Sequence, residues 1–132
     1  SRGLGDVYKR QVLYYYIRRY HESETMYKSA LAIYERLAKV NPQAYEPALA
    51  ESYYNLAILY RDTQRYDESE AMYKSAIAIR EHLAEDDLQV YGPALARSYN
   101  NLAILYNETQ RLAESEEMYN AAAAIRERLG IE

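Results

Sequence analysis

Cysteine, phenylalanine and tryptophan are all missing from these 132 residues, and tyrosine supplies all 17 aromatic side chains. Without cysteine there is no disulfide framework and no thiol nucleophile. No run of lysine and arginine is dense enough to form the positive stripe that a phosphate backbone requires, and the net charge is −4. Nucleic acid and anionic lipid surfaces are therefore not expected partners. No apolar stretch approaches the roughly 18–20 residues needed to cross a bilayer. No membrane partner is expected, and a cytoplasmic location is; the lack of a recognisable signal peptide says nothing where the first residues are not native ones. What remains is 49% hydrophobic and 27% charged, the balance of a soluble globular chain long enough for one compact architecture or a few stacked units.

Sliding the sequence along itself by 46 residues lays PALAESYYNLAILYRDTQRYDESEAMYKSAIAIREHLA (47–84) on PALARSYNNLAILYNETQRLAESEEMYNAAAAIRERLG (93–130), with 26 of 38 positions identical. The same shift carries 13–38 onto 59–84, with Met26, Tyr27, Ala30, Ile33, Glu35 and Leu37 meeting identical residues. A fixed period of this size marks an array of stacked supersecondary units, here a partial repeat at 12–40 and repeats at 47–84 and 93–130. Upstream the register fails. Arg10 falls where Leu56 and Leu102 stand and Gln11 where Ala57 and Ala103 stand, which puts a charge at a core position. Asp6-Val7-Tyr8-Lys9-Arg10-Gln11 resembles the read-through of a transposon adaptor used in sequencing libraries. Residues 1–11 are accordingly expected to be a non-native leading segment, and the chain a fragment of a longer protein.

Leu49, Tyr53, Leu56 and Tyr60 recur at spacings of four, three and four, one face of an α-helix. Pro47 suits the first turn of that helix, which should run to about Asp62, with Thr63-Gln64-Arg65-Tyr66 as the turn. A second helix follows, with Asp67 as N-cap and Glu70 completing a capping box, and a buried stripe of Met72, Tyr73, Ala76, Ile79 and Leu83. The third unit repeats the hairpin with Pro93, Leu95, Tyr99, Leu102 and Tyr106, then Met118, Tyr119, Ala122, Ile125 and Leu129. Ala113 replaces the cap there and should leave that start less well held. Residues 41–46 and 86–92 carry the breakers that separate hairpins.

Asn55-Leu56-Ala57 with Tyr60, and Asn101-Leu102-Ala103 with Tyr106, resemble the tetratricopeptide repeat, in particular the longer variant of kinesin light chains and many bacterial scaffold proteins. Tyr53 and Tyr99 stand at the family's tryptophan position, Ala57 and Ala103 at its glycine, Tyr73 and Tyr119 at its large aromatic, and Ala76 and Ala122 at its second alanine. Departures are Ser69 and Ser115 for the first alanine, Gln64 and Gln110 for a common turn glycine, and Glu81 and Glu127 where short repeats end in proline. The resemblance implies an all-α solenoid of antiparallel helical hairpins coiled into a right-handed superhelix, about two and a half to three repeats long over residues 12–130.

Candidates for chemistry are few. His21 and His82 lie a hairpin apart and read as solvated helix side chains. Glu68, Glu70, Glu114, Glu116 and Glu117 crowd the start of the second helices, where negative charge suits the helix dipole better than it suits catalysis. Ser69 and Ser115 have no base held beside them, and small size at a helix contact accounts for them. Asn107-Glu108-Thr109 matches a glycosylation acceptor inside a helix and is set aside. No catalytic residue, metal site or cofactor is expected.

A second stripe lies opposite the buried one on each first helix: Glu51, Tyr54, Asn55, Ile58, Arg61 and Asp62, then Arg97, Asn100, Asn101, Ile104, Asn107 and Glu108. Tyr15 and Tyr16 are the counterparts in the partial repeat. In the proteins this chain resembles, that face lines a concave groove that grips an extended peptide or a partner helix. Asn55 and Asn101 either line the groove or bridge neighbouring helices, while Tyr54 is assigned to the groove. The resemblance implies a non-enzymatic scaffold for a protein or peptide ligand. The alternative is a regulatory arm of a multidomain signalling enzyme whose catalytic part lies elsewhere. Arg61 and Arg97 each have an acidic neighbour, so the family's clamp on a C-terminal carboxylate is expected to be absent. Apolar surface at uncapped ends implies self-association.

Overall fold

In the computed structural model residues 2–131 are described, and they form five helices with no strand among them: α1 Arg2–Val40, α2 Pro42–Asp62, α3 Tyr66–Asp86, α4 Leu88–Glu108 and α5 Leu112–Leu129. Each helix packs chiefly on the ones before and after it, which makes the molecule a quasi-linear stack of antiparallel helices, an all-α solenoid. The spacing rule holds best at the centre. Leu95, Tyr99, Leu102 and Tyr106 are all buried, whereas on α2 Leu56 and Tyr60 are buried and Leu49 and Tyr53 only half so. On α5, which only α4 covers, Ala122 is buried but Tyr119 stays exposed. Ala57 and Ala103 are fully buried because the second helix of each hairpin closes on them. Ser69 and Ser115 donate to their carbonyls at 2.7 Å, a contact only a small side chain permits.

The helices begin earlier than the proline positions suggest. Asn41 accepts from the Ala44 amide and Asp87 from the Val90 amide, so α2 starts at Pro42 and α4 at Leu88. The residues that read as breakers are thus caps and first turns. Pro47 and Pro93 lie within the helices, where the acceptors they deprive belong to the exposed Gln43 and Gln89. Gly92 is helical as well. A Cβ there would meet Leu129 Cδ1 at 3.1 Å and Leu88 Cδ1 at 3.2 Å, so its bareness serves the approach of α5 to α4.

The capping box at Asp67 is not formed. The cap falls two residues earlier, at Arg65, with no side-chain cap bond, and α5 starts identically from Arg111. The two caps share their backbone angles, φ −94°, ψ 71° and φ −95°, ψ 70°, so Ala113 loosens nothing.

The largest departure is α1, a single helix that runs through residues 2–11 and the whole partial repeat; Ser1 lies outside the described residues. Interior hairpins turn at Gln64 and Gln110, which take φ 62°, a left-handed conformation that explains the glycine common at that place, while Thr63 and Thr109 bond back to the carbonyls of Leu59 and Leu105. The 46-residue shift puts Ile17 and Arg18 at those positions. At those two places the chain stays helical, and no turn separates residues 2–16 from the rest of the partial repeat. Arg10 is therefore exposed on an unpaired helix rather than at a core site, and Leu13, Tyr14, Tyr15, Tyr16 and Ile17 are exposed with it.

Candidate functional site

The stripe opposite the core on α2 and α4 forms one continuous face, and much of it is already engaged within the chain. Asn101 Nδ2 donates to the Tyr54 hydroxyl, so of the two readings for this asparagine the bridge is the one realised. Arg61 Nε donates to Glu108 at 3.2 Å, with a second bond from the guanidinium to the same carboxylate. These two links tie α2 to α4, the first helices of successive hairpins, with α3 between them in the chain. They also occupy the hydroxyl of Tyr54 and the charge of Arg61, two groups expected to grip a ligand.

Arg80, on α3 and outside the concave stripe, is a third link. Its guanidinium donates to Glu51 at 2.6 Å and to Ser98 Oγ at 2.7 Å, and lies over the Tyr54 ring at 4.6 Å. It is only 4% exposed, and burial pushes its pKa down while Glu51 works against that. The spacing did hold a signal: Arg80 follows Ala76 by four and precedes Leu83 by three, a charge on the buried stripe. Beside this network the Tyr73 hydroxyl is buried without a hydrogen-bond partner.

The remaining groups fall into two sets. Arg97, Asn100 and Asn107 on α4 have no side-chain hydrogen bond or ion pair among the described residues, and Ile104 is half-exposed between them. Asn55, Ile58 and Asp62 on α2 face Tyr16 of α1 across a cleft of about 360 Å³. Tyr15 does not line that cleft: its hydroxyl accepts from Arg19 at 3.0 Å, and its ring meets Tyr16 edge-on.

A second recurrent network closes the turn side of the stack. Glu24 accepts from Arg65 at 2.6 Å, from Lys28 and from the Tyr60 hydroxyl, and 46 residues on Glu70 repeats the arrangement with Arg111, Lys74 and Tyr106. Glu70 thus joins successive repeats rather than complementing a helix dipole. Arg65 holds the Glu24 carboxyl at about 2. For Glu70 burial pulls upward, but Arg111, Lys74 and Tyr106 outweigh it and bring the value to about 2 as well. Both folded values lie below the unfolded one, so the stabilisation is complete above pH 5 and is lost as pH falls towards 2. We expect thermal midpoints by circular dichroism to be flat from pH 6 to 8 and to fall steadily between pH 5 and 2, by on the order of 1 kcal/mol per carboxylate after solvent screening. A Glu24→Gln/Glu70→Gln chain should start lower at pH 7 and show a flatter acid limb; an unchanged limb would remove these two groups as its cause.

No helix among the described residues is long and apolar enough to cross a membrane, and no group of three or more histidine or acidic side chains is placed to hold a metal. The family model for the tetratricopeptide repeat matches residues 12–82 and, overlapping, 49–128. No curated protein matches. Among solved structures the fold is similar to that of BtubC (BKLC) from P. vanneervenii, with a TM-score of 0.66 and 24% identity over 85% of this chain. The chain spans 42% of that protein's length.

Proposed function

The chain belongs to the tetratricopeptide repeat family, a family of protein-interaction scaffolds, and from that premise we propose that its concave face binds a peptide or a partner helix from another protein. The observation that carries this reading is the division of labour on that face. Tyr54, Arg61, Asn101 and Glu108 satisfy one another and hold α2 and α4 at a set spacing, while Arg97, Asn100 and Asn107, around Ile104, make no side-chain hydrogen bond or ion pair among the described residues. A rigid frame carrying unspent polar groups around an aliphatic centre is what a peptide main chain and its side chains need, because the ordering cost has been met in folding. Asn100 and Asn107 can each both donate to and accept from a ligand's backbone. With Arg61 held by Glu108, a clamp on a C-terminal carboxylate is not part of the reading, and amidating a ligand should not weaken it. The face has no basic stripe for nucleic acid, and no residue is assigned a catalytic role. We read the chain as part of a longer cytoplasmic protein, with self-association through exposed apolar ends at high concentration.

Peptide-display selection against the chain tests the proposal. The selected ligands should lose roughly tenfold or more in affinity on an Arg97→Glu/Asn100→Ala/Ile104→Asp chain. They should be indifferent to Glu85→Ala and Glu117→Ala, exposed on the second helices of the two hairpins. Ligands that ignore the concave-face variant would overturn the assignment.

A further inference from the structure

The 46-residue shift that superimposes one hairpin's sequence on the next also carries Ser23, Tyr27, Asn55 and Asp62 onto Ser69, Tyr73, Asn101 and Glu108. Inside the stack, every member of the second set is in contact with a single helix, α2. Ser69 donates to the Ala57 carbonyl at 2.7 Å, the Tyr73 ring meets the Tyr54 ring edge-on at 6.0 Å, Asn101 donates to the Tyr54 hydroxyl, and Glu108 accepts from Arg61. Ile58 packs against the same cluster. Among the described residues no helix does this for the first set. Ser23, Tyr27, Asn55 and Asp62 all line the open cleft of about 360 Å³ between α1 and α2, and among the described residues Ser23, Asn55 and Asp62 make no side-chain hydrogen bond or ion pair. The cleft stays open because α1 runs straight past Ile17 instead of turning back over it.

Because the interior of the molecule displays the filled form of this cleft, the chemistry of an occupant can be read from α2. We propose that the cleft receives an amphipathic helix of another protein that carries tyrosine at one position, a small residue three further on, a branched aliphatic four on and an arginine or lysine seven on. That is the arrangement of Tyr54, Ala57, Ile58 and Arg61. The tyrosine hydroxyl takes the Asn55 amide, and its ring lies on Tyr27. The small residue lets Ser23 reach a main-chain carbonyl. The aliphatic side chain fills the space beside Leu59, and the cation meets Asp62, whose neighbour Arg19 is occupied with Tyr15. All four groups lie on one helical face, since positions three, four and seven apart share a side. The inference rests on the concave-face reading above and specifies what that face takes at its α1 end.

The test uses a labelled synthetic peptide copying residues 47–62, titrated into the 132-residue chain by fluorescence anisotropy at a concentration where sedimentation shows monomer. Saturable binding is expected, weakened roughly tenfold by Asp62→Arg in the chain and by Asn55→Leu. A peptide with Arg61→Glu should bind the Asp62→Arg chain and not the unaltered one. This reciprocal rescue cannot arise from misfolding, and circular dichroism of each variant checks the fold. Absence of saturable binding overturns the proposal, as does binding indifferent to Asn55 and Asp62 and without rescue. Dimerisation of the chain through Asn55 and Asp62, with no uptake of peptide, would give the cleft to a second copy and overturn it equally. If display-selected ligands still depend on Arg97 and Asn100 while the peptide fails, the scaffold reading stands and only this occupant falls.

Discussion

An Arg80→Ala chain is expected to lose about 3 kcal/mol of stability, seen as a fall of roughly 10 °C in the circular dichroism melt. Arg80 is the largest polar side chain in the interior, and it touches three helices: Glu51 and Tyr54 on α2 and Ser98 on α4, from its own place on α3. Truncation removes both the charge and the long stem that fills the space under Tyr54. The loss from charge alone should be small. Glu51 has a 56% exposed side chain and returns to water, and Ser98 keeps its bond to the Ala94 carbonyl at 2.9 Å. An Arg80→Met chain, which keeps the stem, is therefore expected within about 1 kcal/mol of the original. If alanine and methionine cost the same, packing is not what Arg80 contributes, and the buried ion pair must be stabilising on its own account.

Leu102→Ala should cost about 4 kcal/mol and Leu56→Ala about 2, although the two leucines hold the same place in successive repeats and each is 2% exposed. The difference lies in what surrounds the cavity. Leu102 belongs to a large cluster whose other members, among them Tyr73, Ile77, Tyr106 and Ala122, are themselves buried. A hole there cannot collapse. Leu56 sits in a small cluster with Leu59 and Tyr60, closed by Leu31 and Met72, which are only half-buried and can move in. Urea unfolding of the two single variants measures both costs. Equal losses would mean that the α1 side of the stack is as tightly built as the centre, contrary to the burial pattern.

Much of this architecture is legible in the chain because helical repeats are local objects. Leu95, Tyr99, Leu102 and Tyr106 at helical spacing determine a buried face without reference to any distant residue, and the 46-residue recurrence determines that hairpins stack. The same locality misleads where the cue is a cap. Asn41-Pro42 and Asp87 read equally as breakers between helices or as starts of them, and only the amide bonds to Ala44 and Val90 decide. Asp67 is one residue inside α3, a shift that no propensity separates from a cap.

By itself, then, the sequence determined the fold class, the buried stripes and the face on which a partner would be sought, since each follows from periodicity within about twenty residues. Tertiary structure alone decided how that face is spent. Asn55 and Asn101 are the same residue in the same motif, yet Asn101 is bound to Tyr54 while Asn55 stands in an open cleft. What separates them is whether a preceding helix folds back: the chain turns at Gln64 and Gln110, whereas α1 runs straight through the same place in the repeat. A hydrogen bond across 47 residues of chain is made only when packing has placed both ends, and no local pattern records whether it has.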